Sequence, residues 1–91
     1  MKIYQRPAFI RALAKLSDPQ QELVRQRARR AAEILGHPHQ HSGLGLRPFG
    51  RYKEFRAGLH LRCLFLLADG DIHLVMVGTH DEIAAYVRNN G

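Results

Sequence analysis

Glu54, Arg56, His60, Arg62 and His80 are the residues of this 91-residue chain whose types and spacing suit chemistry at an anionic centre. An imidazole can take or give a proton under ordinary conditions. A guanidinium stabilises negative charge as it develops on oxygen. A carboxylate can act as a base or hold a cation in place. The first four alternate along extended chain, and His80 follows one apolar run later.

Whether they share a surface depends on the strands that carry them. Asp69-Gly70 lies between two apolar runs, and both residues tolerate the positive φ of a two-residue type I′ turn. With that turn, Ala68 faces Asp71, Leu67 faces Ile72, Phe65 faces Leu74, Cys63 faces Met76, Arg62 faces Val77 and Leu61 faces Gly78. Because side chains alternate along a strand, one face collects Leu61, Cys63, Phe65, Leu67, Ile72, Leu74 and Met76, and is read as core. The other mixes apolar residues with His60, Arg62 and His73, and is read as the working surface, although His73 is left outside the site.

The preceding hairpin, around Ala57-Gly58-Leu59, is expected to use a three-residue loop. Phe55 then faces Leu61, Glu54 faces Arg62 and Arg56 lies beside His60; a two-residue loop would put the Glu54 carboxylate on the apolar face, which is costly. The chosen register places Tyr52, Glu54, Arg56, His60 and Arg62 on one open face with His80 at its rim. Lys53 points coreward, near the strand's start, where its stem can snorkel.

The rest of the chain supplies the support. Lys2 to Gln5 reads as a short strand ended by Arg6-Pro7. A helix from Pro7 to about Leu16 buries Phe9, Leu13 and Leu16. A second starts at Asp18-Pro19-Gln20-Gln21, with Asp18 as cap and Gln21 closing a capping box, and runs to about Leu35 before Gly36 and Pro38 stop it. Val24, Ala28, Ala31 and Leu35, with Leu23 and Ile34, recur at helical spacing. Arg25, Arg27, Arg29 and Arg30 crowd this helix, either as a solvated surface or as a contribution to docking a polyanion. Residues 42–50 read as loop with room for a short edge strand, Leu44 and Leu46 turned inward and Arg47 exposed. Thr79-His80-Asp81-Glu82 is a capping box for a last helix to about Asn89 that buries Ile83 and Val87.

The fold class is therefore α+β: one domain over residues 1–91, order β-α-α-β-β-β-α, with a twisted, mainly antiparallel sheet and two N-terminal helices packed on one face. Lysine and arginine number 14 against 8 acidic residues, a formal charge of +6 that favours polyanionic partners. Cys63 is the single cysteine and falls on the apolar face, as a buried thiol in a reducing compartment would. There is no membrane-length apolar run and no secretory pattern at the N-terminus, so a cytoplasmic protein is expected. His37, His39 and His41 alternate as zinc ligands can, but Pro38 and Ser42-Gly43 mark a connector without a nearby cysteine or carboxylate, and no metal or other cofactor is assigned.

This element order, the stretch YKEFRAGLHLRCLF and the ending VGTHDEIAAY together resemble the RelE/ParE superfamily of type II toxin-antitoxin toxins, in its RelE/YafQ/YoeB-like ribonuclease branch. The likeness rests on the arginine-centred strand Leu61-Arg62-Cys63-Leu64-Phe65, on Gly78 two residues before His80, and on Tyr86, and it covers nearly the whole chain. It implies a metal-independent mRNA endoribonuclease, working at the ribosome, that inhibits translation. Arg62 then corresponds to the phosphate-stabilising arginine, His80 to the acid-base position and Tyr86 to a residue that stacks on a base or steers the phosphate. Arg56 adds a second cation, and Lys53, Arg51, Arg47 and His60 are expected to contact RNA. Glu54 is either the general base or the group that orients Arg62. Six residues on a regular helix set Tyr86 about 120° from His80, so the two meet only if that helix starts late or is irregular.

The resemblance also implies partners: a cognate acidic antitoxin, mRNA and the ribosome, with the toxin-antitoxin complex reaching operator DNA through the antitoxin. Two alternatives stay open, a ParE-like inhibitor of DNA gyrase and an inactive homologue that only binds an antitoxin. Fold alone does not separate them.

Overall fold

Pro7 divides the first two elements. It lacks the amide hydrogen a ladder needs and has the φ a helix needs, so strand β1, Ile3–Gln5, gives way at Arg6 to helix α1, Pro7–Ala14. The computed structural model describes residues 1–36 and 45–90. The histidines at 37, 39 and 41 and the expected inward turn of Leu44 lie outside the described residues.

Helix α2, Asp18–Gly36, starts on a capping box one residue earlier than expected. The Ser17 amide donates to Gln20 Oε1 at 3.0 Å, and the Gln20 amide donates to Ser17 Oγ at 3.3 Å. Asp18 is thus inside the helix, and Gln21 uses its side-chain amide on the Leu16 carbonyl at 3.0 Å. Committing Ser17 to this cap is why α1 stops at Ala14 instead of reaching Leu16.

Four more strands follow: β2, Arg47–Phe49; β3, Tyr52–Arg56; β4, Arg62–Ala68; and β5, Asp71–Gly78. Helix α3, His80–Asn90, closes the described chain. The sheet order is β1-β5-β4-β3-β2, with β1 parallel to β5 and every other pair antiparallel. The edge strand β2 begins only at Arg47, and Leu46 before it is exposed, against the expectation that it tucks inward.

The Asp69-Gly70 turn forms as expected, with φ of 55° and 79°. Close to it the pairs are the expected ones, Ala68 with Asp71, Leu67 with Ile72 and Phe65 with Leu74. Beyond Phe65 the ladder slips. Leu64 faces Met76, Cys63 faces Val77 and Arg62 faces Gly78, so Val75 is the extra residue of a β-bulge. The expected pairs Cys63–Met76, Arg62–Val77 and Leu61–Gly78 are not made. After the bulge the parity of β5 is reversed, which turns Val77 into the main core and Met76 to the opposite side.

The β3–β4 hairpin also differs from expectation. Phe55 faces Cys63, Glu54 faces Leu64 and Arg56 faces Arg62, and the loop is closed by the Ala57 amide on the Leu61 carbonyl at 2.9 Å. The loop is wider because both Ala57 and Leu61 are buried at its base and Gly58, at φ 98°, is pressed against Leu23 of α2. Register slips of two residues keep side chains on their faces, so Glu54, Arg56 and Arg62 remain together.

Helices α1 and α2 cover one face, with Phe9, Leu13, Val24, Ala28 and Ala31 packed on Phe55, Cys63, Phe65, Ile72 and Leu74. The face expected to be open is largely roofed by α3, whose Ile83 packs with Tyr52, Leu64 and Val75. Tyr52 in particular is buried, not part of a free surface. An amphipathic helix ending the chain needs an apolar floor, and Leu64 and Val75 provide it. On α2, Arg29 and Arg25 reach Glu22 and Arg30 reaches Glu33, exposed pairs of the solvated kind. No helix among the described residues is long and apolar enough to cross a membrane.

Candidate active site

Helix α3 leaves the corner of the sheet around Arg62 uncovered. There Arg62, at the start of β4, lies between Arg56 on β3 and Gly78 on β5. The bulge matters here, because it puts Gly78 and, two residues on, His80 in phase with Arg62. The chain leaves β5 through Thr79, which caps α3: the Thr79 amide donates to Glu82 Oε1 at 2.8 Å and the Glu82 amide donates to Thr79 Oγ1 at 3.2 Å. His80 is thereby fixed as the first helical residue, exposed, with its ring edge-on to Phe49 at a centroid distance of 6.2 Å.

A cleft of about 340 Å³ opens at this corner, lined by Leu59, His60, Arg62, Thr79, His80 and Asp81. Arg62 and His80 thus share one hollow, and His60 stands on it as well. Two imidazoles and a guanidinium around one space can transfer protons and stabilise an anion. Asp81, which in the sequence reads only as part of the helix cap, adds a carboxylate to this cleft. Its position directly after His80 was the available signal.

Glu54 lies beneath the cleft, not in it. Its side chain has no exposed surface, and Oε1 accepts from Arg47 Nε at 2.6 Å and from Arg62 Nη1 at 3.4 Å. Arg47 reaches it because β2 pairs Arg47 directly opposite Glu54. Arg62 reaches it along the diagonal, since its direct partner is Arg56 rather than Glu54. Oε2 is also buried and has no partner. Arg56 is exposed and passes over the backbone of Gly45, where an added Cβ would stand 3.2 Å from its Cγ.

The remaining candidates are elsewhere. Tyr86 meets Tyr52 edge-on at 6.4 Å and lines a groove with Ala8, Arg11, Lys15 and Met76. α3 is regular from His80 onward, so the 120° rotation expected between His80 and Tyr86 is what separates them. Arg51 lies at the far end of β3, its Cζ 4.9 Å above the Tyr52 ring and its Nη2 donating to the Tyr52 hydroxyl at 3.1 Å. Lys53 points to the helix-covered face beside Leu35 and Phe65 and escapes burial at the edge, as its snorkelling stem was expected to. Cys63 is fully buried, and burial pushes its thiol pKa up, which makes it a poor nucleophile. Among the described residues no three histidine, cysteine, aspartate or glutamate side chains are grouped to hold a metal ion.

No protein-family model matches the sequence, and a search of curated proteins finds no match to it. Solved structures do match. YafQ from E. coli strain BL21(DE3) superposes with a TM-score of 0.67 at 10% identity, covering 90% of this chain and 96% of that one. A YoeB/ParE toxin from Agrobacterium tumefaciens gives 0.66 at 12% identity, over 88% and 99% of the two chains. A RelB-RelE antitoxin-toxin complex from Methanococcus jannaschii gives 0.66 at 13% identity, over 91% and 96%. With nearly the whole length aligned on both sides, this chain has the fold of the RelE/ParE superfamily of toxins.

Proposed function

We propose that this protein is the toxin of a type II toxin-antitoxin pair and that it acts as an mRNA endoribonuclease at the ribosome, inhibiting translation. The observation that carries the reading is the shared cleft of Arg62 and His80, with His60 on the same hollow. Cleavage through the 2′-hydroxyl needs one group to take its proton, cations to stabilise the phosphorane and one group to protonate the departing 5′-oxygen. His80 and His60 supply the two proton-transfer groups, and Arg62 and Arg56 the positive charge. Purified protein added to a translating extract should cut the message at discrete positions, and Arg62→Ala and His80→Ala should not. Intact message, together with loss of supercoiling in a gyrase assay, would replace this reading by gyrase inhibition.

The partner that follows is an acidic antitoxin. A formal charge of +6 and an exposed basic corner favour a polyanionic or acidic binder, and among the similar folds are the toxins of RelB-RelE and DinJ-YafQ complexes. Growth arrest on expressing this chain alone, relieved by the product of an adjacent gene, is the expected result. Unimpaired growth with soluble, folded protein would point instead to an inactive antitoxin-binding homologue.

A further inference from the structure

Glu54 is the only charged side chain with no exposed surface among the described residues, and it lies next to the proposed catalytic arginine. Burying a carboxylate is expensive unless cations and hydrogen bonds compensate. Two guanidiniums do so from opposite sides, Arg47 Nε at 2.6 Å and Arg62 Nη1 at 3.4 Å, both on Oε1. We propose that Arg47 and Glu54 are positioning residues that hold the Arg62 guanidinium toward the cleft, and that Glu54 is not the proton acceptor; this rests on the ribonuclease reading above.

A general base must come within about 3 Å of the proton it removes. Oε1 is taken by two donors and Oε2 is closed off, so a substrate hydroxyl has no approach to either. As a tether the same burial is an advantage. A 20%-exposed arginine side chain gripped at one nitrogen leaves its other nitrogens to point outward in a defined direction.

Three guanidiniums, on Arg47, Arg62 and Arg56, gather at this corner, and Glu54, in contact with two of them, supplies counter-charge that offsets their mutual repulsion.

Arg47→Ala is the suitable probe, because its side chain is half exposed and its loss removes the shorter of the two contacts that fix Glu54 Oε1, so that the carboxylate no longer holds Arg62 in one direction. Cleavage of ribosome-bound mRNA with a defined codon in the A site should show kcat reduced about tenfold with KM unchanged. Arg47→Ala should have no further effect once Arg62 is already alanine, since it acts through Arg62. Glu54→Gln, if it folds, should keep the shape of the wild-type pH-rate profile. NMR of the Arg62 guanidinium gives a readout independent of turnover: separate Nη signals in the wild type, averaged by free rotation in Arg47→Ala. Unchanged Arg62 signals, a KM effect of Arg47→Ala that adds to Arg62→Ala, or a pH profile that loses a limb in Glu54→Gln would each overturn the proposal. Absence of cleavage by wild-type protein, with the Arg62 signals responding as described, would remove the ribonuclease reading and leave the tether standing.

Discussion

Arg62 and Gly78 face each other across β4 and β5, and the absence of a side chain at 78 is what lets α3 start beside the arginine. A Cβ at position 78 would stand 3.0 Å from both Cβ and Oε1 of Glu82, the residue that closes the α3 cap.

Gly78→Ala should therefore push Glu82 out of its bond to the Thr79 amide. The expected cost is about 1 kcal/mol, the value of a lost cap, measured by urea denaturation. Thr79→Ala, which removes the opposite half of the same box, should cost a similar amount. If Gly78→Ala matches wild type in stability, Glu82 has another place to go and the close approach is not what selects glycine here.

Arg62→Ala should fold and should lose at least about 100-fold in cleavage rate, the scale for deleting a group that stabilises transition-state charge. Folding is expected to survive because Glu54 keeps the shorter of its two ion pairs, the one to Arg47. Circular dichroism melting alongside mapped mRNA cleavage tests both halves. Toxicity that persists in the folded variant would remove Arg62 from the mechanism.

His60 and His80 should each leave a mark on the pH dependence of cleavage. Each single alanine variant is expected to lower kcat by about 100-fold and to change the shape of the pH-rate profile, because each removes one proton-transfer group. An unaltered profile in His60→Ala, with only KM raised, would return His60 to a purely RNA-binding role.

Cys63 predicts how stability varies with pH. Burial raises the thiol pKa in the folded state above its ordinary 9.0, so the folded chain keeps a proton that the unfolded chain releases. Below 9 the contribution is fully present. Above it, stability should fall by about 1.4 kcal/mol per pH unit from this group alone. The slope of unfolding free energy between pH 9 and 11 should be shallower in Cys63→Ala than in wild type, and native protein should resist alkylation by iodoacetamide. Equal slopes would mean that the thiol is not held protonated.

Local chemistry was legible wherever a few neighbouring residues decide the outcome. Asp69-Gly70 makes its turn because both residues accept positive φ. Thr79 and Glu82 cap α3 because they are three apart. Phe9, Leu13, Val24, Ala28 and Ala31 face the core because their spacing follows the helical repeat. From these came the α+β order and the placing of Arg62 and His80 near one another.

The bulge at Val75, the wide loop from Ala57 to Leu61 and the roof formed by α3 were not legible, since each balances packing among segments far apart in the chain. Nothing adjacent to Val75 distinguishes a regular ladder from a bulged one; the gain is Val77 in one core and Val75 beneath α3 in the other.

The amino-acid sequence on its own thus determined which side chains are available for acid-base work and which strands and helices carry them, because turns, caps and periodicity are short-range physics. Only the tertiary structure decided how they divide: His60, Arg62 and His80 to the cleft, Tyr86 to another groove, and Glu54 to a sealed place between two arginines. The division depends on one extra residue in β5 and one edge strand beside β3, and both are fixed by how whole layers pack rather than by any neighbour in the chain.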